Sequence, residues 1–291
     1  AIEEPGTPEN YNSRAAARLN LLNQDFPYRG SGVVIGIGDD GDIGPHADYK
    51  GRLTSLAGTS IGDHGDHVAG TVFGAGNIDP DGEGIAPESE VIYYSYPSNL
   101  SSIDTHYSLY GIRVTNSSYS NGCNAGYTAY AAQMDNDALQ NQSLIHVFSA
   151  GNSGFSNCGY GAGTGWGTIT GGHKQGKNVV ACGNLLSTDV ISQSSSRGPA
   201  ADGRIKPDLC AIGSSVYSTL PSNTYGFKTG TSMSAPAVAG FFGVLHNAFD
   251  SIHLSQADGG LIKGIALNAA DDLENYGPDY KYGYGRINAK K

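Results

Sequence analysis

The 291-residue sequence lacks the features that mark membrane-spanning and nucleic-acid-binding proteins. It has no run of about eighteen apolar residues, the length that a membrane-spanning helix needs. Its 17 lysines and arginines stand against 27 acidic residues, which gives a formal charge of −10, and they form no basic cluster. Nucleic-acid binding requires such a cluster, so the sequence predicts neither nucleic acid nor a membrane as a partner.

The start of the chain also lacks the basic and apolar segments of a secretion signal, since it reads Ala-Ile-Glu-Glu-Pro-Gly. We find no internal repeat, low-complexity segment or linker. Apolar residues make up 38% of the chain, which is enough for a sizeable core at this length. We therefore expect a mature or trimmed chain that folds as a single domain over residues 1–291.

The four cysteines lack the spacings of a metal site. They contain no Cys-x-x-Cys pair, and none has a histidine at the distance seen in zinc fingers. Two disulfide bonds in an oxidising compartment or four buried thiols are the alternatives, and we favour the disulfides. The residues are Cys123, Cys158, Cys182 and Cys210.

Glycine is abundant, with 43 residues, about twice the usual share, which is typical of a chain with many tight connections. Short apolar runs bounded by turn residues indicate strands that are buried on both faces. A segment of helical period, residues 127–142, lies between two of these runs. This alternation predicts an α/β fold with a mostly parallel sheet. The runs are residues 32–38, 91–94, 111–115, 144–148 and 179–182.

Four short motifs supply a carboxylate, an imidazole, an amide and a serine hydroxyl. A serine hydroxyl is a weak nucleophile until a base removes its proton. Ser232 stands just before a predicted apolar helix with Pro236 in its first turn, near the positive end of the helix dipole. Ser234 lies further along and is interpreted as a capping or packing residue. The motifs are Asp39-Asp40-Gly41, His64-Gly65-Asp66-His67, Ser149-Ala150-Gly151-Asn152 and Gly230-Thr231-Ser232-Met233-Ser234-Ala235-Pro236.

In this order, the motifs resemble those of the subtilisin-like serine endopeptidases, or subtilases, of the secreted bacterial type. The resemblance extends from about residue 30 to Ala289 and includes the segments 84–87, 196–199, 203–208 and 282–289. It implies a three-layer fold with helices on both sides of the sheet. It also implies hydrolysis of peptide bonds in proteins without a cofactor for the chemistry, by a secreted monomer that matures with an inhibitory propeptide.

Residue by residue, the resemblance implies that Asp39 is the acid, His64 the base, Ser232 the nucleophile and Asn152 the side-chain oxyanion donor. The acidic motif departs from the family pattern, because Asp40 stands where serine or threonine is usual. Asp40 is therefore a rival for the acid. We favour Asp39, because it directly ends the apolar strand.

The histidine motif has Asp66 where the family usually has threonine. A carboxylate close to His64 would favour the imidazolium and raise the working pH of the base. The alternative, which we favour, is a carboxylate that only complements the helix dipole.

The resemblance also implies two walls that flank an extended substrate peptide, which is held as an added strand. The family has glycine where Ser120 stands, so the side chain of Ser120 argues against the usual broad pocket. The walls are Ser118, Tyr119 and Ser120 on one side and Ser149, Ala150 and Gly151 on the other.

Oxygen-bearing side chains alternate around a glycine turn after the histidine helix, in a stretch that resembles a short calcium loop. It lacks the distal glutamate of an EF-hand. A structural calcium site and a solvated acidic turn are both open interpretations. The residues are Asn77, Asp79, Asp81 and Glu83.

The resemblance also guides the choice of disulfide bonds, for which four cysteines allow three connectivities. Cys123 and Cys158 each follow a wall of the implied pocket, and Cys182 and Cys210 fall in strands expected to be neighbours. We predict the pairs Cys123–Cys158 and Cys182–Cys210.

Two other classes of protein compete with the endopeptidase. A catalytically inactive binding module would keep the fold but lose a member of the acid, base and nucleophile set, and none is lost here. A lipase or esterase of the α/β-hydrolase type needs Gly-x-Ser-x-Gly and the order serine, acid, histidine. Ser232 has neither.

Overall fold

A parallel sheet of seven strands forms the centre of the computed structural model, which describes residues 9–58, 62–119, 122–123, 126–159 and 161–291. The five apolar runs of the sequence lie on five of its strands, which confirms the predicted α/β fold. The strands are β1 (Val34–Asp39), β2 (Leu53–Ser55), β3 (Glu90–Ser95), β4 (Ile112–Ser117), β5 (Ile145–Ser149), β6 (Val180–Leu185) and β7 (Leu209–Ile212).

The spatial order of the strands is β2-β3-β1-β4-β5-β6-β7, and each neighbouring pair is parallel. Strands β1, β4 and β5 therefore lie side by side, and their carboxyl ends meet at one edge of the sheet. Loops at this edge are the usual place for a site in open α/β sheets. A separate antiparallel hairpin consists of β8 (Val216–Leu220) and β9 (Thr224–Lys228).

Helices flank the sheet and connect its strands. The longest, α7, is buried from Met233 to Val244 and packs against β4 to β7 and α3, so it forms the centre of the apolar core. No helix in the described part of the chain is long and apolar enough to cross a membrane. The helices are α1 (Glu9–Ala16), α2 (Leu19–Asp25), α3 (His64–Phe73), α4 (Ser98–Ser101), α5 (Ile103–Tyr110), α6 (Ala129–Gln140), α7 (Thr231–His253) and α8 (Gly259–Ala269).

Helix α7 begins earlier than the sequence predicted. Its first residue is Thr231, so Ser232 lies inside the first turn and Pro236 stands in the helix interior. Proline cannot donate to the carbonyl four residues before it, here that of Ser232. The hydroxyl of Ser118 donates to this carbonyl at 3.0 Å instead, which replaces the missing hydrogen bond.

One of the two predicted disulfides is present and the other is not. A bond joins Cys123 to Cys158, whereas Cys182 and Cys210 are free, buried thiols. The prediction of a Cys182–Cys210 bond is wrong because of the strand register, in which Cys182 lies opposite Leu209 and Gly183 opposite Cys210. Consecutive residues of a strand point to opposite faces, so the two sulfur atoms lie on different sides of the sheet.

Candidate active site

An aspartate and a histidine form a short hydrogen bond at the carboxyl edge of the sheet. Asp39 ends β1 and is 2% exposed, and His64 is the first residue of α3. The distance between Asp39 Oδ1 and His64 Nδ1 is 2.5 Å. This contact fixes the orientation of the ring and directs Nε2 away from the carboxylate.

Asp40, the rival acid, has a different role. Its Oδ1 accepts a hydrogen bond of 2.7 Å from the backbone N–H of Gly65, in the first turn of α3. That turn has N–H groups without partners inside the helix, so the carboxylate satisfies one of them and complements the dipole. Asp40 therefore caps the helix that carries His64, while Asp39 contacts the ring.

The surroundings of His64 favour its protonated form. Burial of the ring lowers its pKa, but the hydrogen bond and charge of Asp39, together with the charge of Asp40, outweigh burial and raise the pKa of His64 above its ordinary value. Imidazolium is the form that a general base reaches after it accepts a proton. The two carboxylates thus stabilise the product of that proton transfer.

Asp66, the unusual residue of the histidine motif, does not bond to His64. It is fully buried, and its Oδ1 accepts a hydrogen bond of 3.1 Å from the backbone N–H of Gly44. Burial raises the pKa of Asp66 to about 7. The side chain therefore anchors the segment after β1 to α3.

Ser232 lies at the same edge of the sheet, held by Ser118. Gly38 pairs with Ser117 across β1 and β4, so Asp39, the last residue of β1, and Ser118, the first residue after β4, stand at neighbouring strand ends. Ser232 Oγ donates to the carbonyl of Ser118 at 3.0 Å, and Ser118 Oγ donates to the carbonyl of Ser232 at 3.0 Å. Among the described residues, the serine hydroxyl makes no hydrogen bond to His64, so it must turn before the ring can take its proton.

Asn152 follows β5, and its amide is held in one orientation. Its Oδ1 accepts hydrogen bonds from the backbone N–H of Thr231 at 3.0 Å and from the Thr231 hydroxyl at 3.1 Å. Since an amide oxygen must face these donors, the Nδ2 group is turned outward. Nδ2 lies 3.3 Å from the position of a Cβ on Gly230, where φ is +154°, so a side chain there would crowd the amide.

The two predicted substrate walls follow adjacent strands. Residues 118–119 follow β4, and residues 149–151 end β5 and continue beyond it. The walls touch where the Ser149 hydroxyl donates to the carbonyl of Tyr119 at 3.4 Å. The predicted wall residue Ser120 lies outside the described residues.

A cavity of about 280 Å³ adjoins the wall at Tyr119. Its rim includes the ring of Tyr96, which stacks on Tyr119 with centroids 4.9 Å apart. Aromatic rings of this kind present apolar surface with little loss of conformational freedom. The cavity is lined by Tyr96, Pro97, Leu100, Ser101, Tyr119, Tyr130, Gln133 and His173.

The four predicted calcium ligands do not converge. The amide nitrogen of Asn77 donates at 3.1 Å to the carbonyl of Ala47, outside the loop. Asp79 accepts hydrogen bonds from the backbone N–H of Asp81 at 3.1 Å and from the Tyr217 hydroxyl at 2.8 Å.

Glu83 forms ion pairs with Arg14 and Arg29. Protein donors and cations thus occupy the oxygens of Asp79 and Glu83. In the described part of the chain, the one cluster of acidic and imidazole groups close enough to hold a metal is Asp39, Asp40 and His64. The loop at residues 77–83 therefore does not fit a calcium ion in this conformation.

The sequence analysis missed two residues that lie beside the predicted site residues. Thr231 orients Asn152 and also accepts a hydrogen bond of 3.1 Å from the N–H of Gly151; its place beside Ser232 in the same motif was the available signal. Lys174 is 2% exposed, beside Gly151. Nothing in the sequence indicated its burial, because lysine is normally a surface residue.

Comparisons with known proteins match most of the chain. The profile described as the Subtilase family matches residues 30–285. Subtilisin DY from Bacillus licheniformis is 30% identical over 278 residues, which cover 90% of this chain and 91% of that protein. Thermitase from Thermoactinomyces vulgaris is 26% identical over 279 residues, covering 90% of this chain and 88% of that protein.

A solved structure supports the fold alone. The CspB protease of Clostridium perfringens superposes with a TM-score of 0.81 at 17% sequence identity, over 95% of this chain and 97% of that chain.

Proposed function

This chain belongs to the subtilase family and is a serine endopeptidase, and on that premise we propose that Asp39, His64 and Ser232 are its acid, base and nucleophile. The observation that carries the assignment is the Asp39–His64 hydrogen bond of 2.5 Å. It stands at the strand end beside Ser118, which in turn holds Ser232. The alternative of an inactive binding module has no observation in its favour.

The proposed reaction begins when the Ser232 hydroxyl leaves the carbonyl of Ser118 and turns to Nε2 of His64. Catalytic hydrogen bonds often form only once substrate is bound. His64 takes the proton as Oγ attacks the scissile carbonyl, and then gives it to the leaving amine. Water repeats the cycle on the acyl-enzyme and releases the second product. Asp39 keeps the ring in the required tautomer throughout and stabilises the imidazolium.

Asn152 would stabilise the negative charge that develops on the carbonyl oxygen. Thr231 uses up the amide oxygen, so the Nδ2–H group is the part of Asn152 that is free to donate. The backbone N–H of Ser232, in the first turn of α7, is the second proposed donor. We place the substrate peptide between residues 118–120 and residues 149–151, paired as an added strand.

The finer properties of the protein follow from family membership and from one structural feature. We propose a single catalytic domain over residues 1–291 that acts as a secreted monomer and matures with an inhibitory propeptide. The Cys123–Cys158 bond supports secretion, because disulfides persist in oxidising compartments. Calcium is not part of the proposal, since the side chains of Asn77, Asp79 and Glu83 are committed to other partners.

An organophosphofluoridate tests the proposed nucleophile. We expect intact mass spectrometry to find one adduct on the parent protein and none on Ser232→Ala. Ser234→Ala is the matched control, because Ser234 stands two residues along the same helix, is buried and donates to the carbonyl of Thr231. It should label like the parent. A folded parent protein that takes no adduct, or an adduct that persists on Ser232→Ala, would contradict the assignment.

A further inference from the structure

Two lysines are buried in the part of the chain that the structure describes, and they differ in their partners. Lys206 is 1% exposed, and its ammonium donates to Asp208 at 2.6 Å and to the carbonyl of Val179 at 3.3 Å. Lys174 is 2% exposed, and its Nζ has no hydrogen-bond partner among the residues that the structure describes. Burial lowers the pKa of Lys174 to about 7. The first lysine follows the ordinary rule for buried charges and the second breaks it.

An unpaired ammonium costs free energy when it leaves water, so it needs a compensating role. Lys174 lies in a short 3-10 helix, Gly172–Gln175, whose residues are all buried. This helix is held by Gln175, which donates to the carbonyl of Ile169 and accepts from the N–H of Ala201 at 3.2 Å. The lysine is therefore carried on a fixed segment, with its position set in advance.

The position of the ammonium relates Lys174 to the proposed substrate cleft. Its Nζ lies 3.7 Å from where a Cβ on Gly151 would stand. Gly151 is a residue of the proposed substrate wall and directly precedes Asn152, the proposed oxyanion donor. The scissile carbonyl must point to Asn152, so the side chain on the carbon next to that carbonyl must lie along this wall. The ammonium of Lys174 therefore lies next to Gly151 of the wall that this side chain would contact.

We propose that Lys174 is a specificity-determining residue, and that the enzyme prefers substrates with an acidic side chain, glutamate or aspartate, immediately before the cleaved bond. A substrate carboxylate bound along this wall would give the Lys174 ammonium the hydrogen-bonding partner that it lacks in the free protein. Pockets use a few well-placed polar groups in this way to select a ligand. The inference rests on the proposed function, because it takes the cleft position from Asn152 and its wall.

The test compares kcat/KM for acetyl-Ala-Ala-Pro-X-4-nitroanilides in which X is glutamate, glutamine, leucine or lysine. Concentrations of active enzyme are set by organophosphofluoridate titration. We expect glutamate to exceed its neutral isostere glutamine by about tenfold or more, a ratio worth about 1.4 kcal/mol. The lysine substrate should be the poorest of the four. Mapping of cleavage sites in denatured casein should show the same preference.

Two variants locate the preference. Lys174→Met keeps the approximate length of the side chain and removes its charge. The glutamate substrate should therefore lose its advantage over the glutamine substrate, and kcat/KM for the leucine substrate should rise. Lys177→Met makes the same change three residues along, at an exposed lysine, and should keep the parent preference. Melting temperatures of both variants check folding; Lys174→Met should be at least as stable as the parent, because it removes an unpaired buried charge.

The possible outcomes distinguish the proposed role of Lys174 from the proposed catalytic function on which it rests. Equal rates for glutamate and glutamine in an enzyme that labels and cleaves would overturn the role of Lys174 and leave the triad intact. A glutamate preference that survives Lys174→Met would also overturn it, since another group would then supply the charge. Failure of the parent to label would overturn the proposed function and the inference together.

Discussion

The two sides of the active-site cleft treat their polar groups differently. On the side built by β1 and α3, each carboxylate has a partner: Asp39 holds His64 and Asp40 caps the helix. On the side built by β5, α7 and the short helix of Lys174, the Asn152 Nδ2 group faces outward and the lysine ammonium has no partner in the described residues. The two carboxylates that position His64 and its helix before the reaction are paired, whereas the Asn152 amide nitrogen and the Lys174 ammonium, which we propose to meet the substrate, are not.

The largest effect on kcat should come from replacing the carboxylate that holds His64. Asp39→Asn keeps the shape but replaces an acceptor with an amide that stabilises the wrong tautomer of His64, so kcat should fall by about 10⁴-fold. The pKa of His64 should also fall, because Asp39 raises it, and the low-pH limb of kcat/KM should move to lower pH. Steady-state kinetics across pH measure both effects.

Asp40→Asn is the matched control, since asparagine can still accept from Gly65 through its side-chain oxygen. It should retain kcat within about tenfold of the parent. Equal losses in the two variants would mean that the division between acid and helix cap is wrong.

The different contacts of Asp39 and Asp40 were accessible from sequence, because they depend on where β1 ends. A residue that directly ends an apolar strand stands at the sheet edge, and the next residue is free to turn toward a neighbouring helix. The same kind of reasoning failed for Cys182 and Cys210, which do lie on adjacent strands but one position out of register. Sequence patterns predicted which strands exist, whereas the stagger between them depends on how the whole sheet packs.

Two features could not be predicted from local sequence patterns, because they depend on contacts with distant parts of the chain. The early start of α7 depends on the Ser118 hydroxyl, more than a hundred residues away, which satisfies the carbonyl that Pro236 leaves free. Lys174 is likewise buried beside a residue distant in sequence, Gly151. Local propensity places proline in a first turn and lysine at the surface, and tertiary contacts override both preferences here.

A smaller effect on kcat should come from changes to the Asn152 amide and to Thr231, which orients it. Asn152→Ala should reduce kcat by about 10²- to 10³-fold, or about 3 kcal/mol of barrier, with little change in KM. That magnitude itself comes from a subtilisin, so it applies here through family membership. Thr231→Val should cost less, because the backbone N–H of Thr231 still holds the amide oxygen when the hydroxyl is gone.

Measurement of kcat on one peptide substrate ranks the three proteins. We expect the parent to be fastest, Thr231→Val to be slower and Asn152→Ala to be slowest. Asn157→Ala, which removes an exposed amide next to Cys158, should match the parent. A Thr231→Val variant slower than Asn152→Ala would show that Thr231 has a role beyond orienting the amide.

The smallest effect is expected at the loop of residues 77–83, where removal of divalent cations tests whether the loop needs a bound ion. Asp79 and Glu83 already bond to Tyr217 and to two arginines, so removal of divalent cations should leave the melting temperature unchanged. A calcium ion held at a hundred times its dissociation constant would add about 2.7 kcal/mol, which is roughly 4–5 °C for a chain of this size. Differential scanning calorimetry with and without EDTA resolves that difference. A fall restored by Ca²⁺ in the parent but absent in Asp79→Asn would mean that this loop rearranges around an ion, and that its present hydrogen bonds only substitute for one.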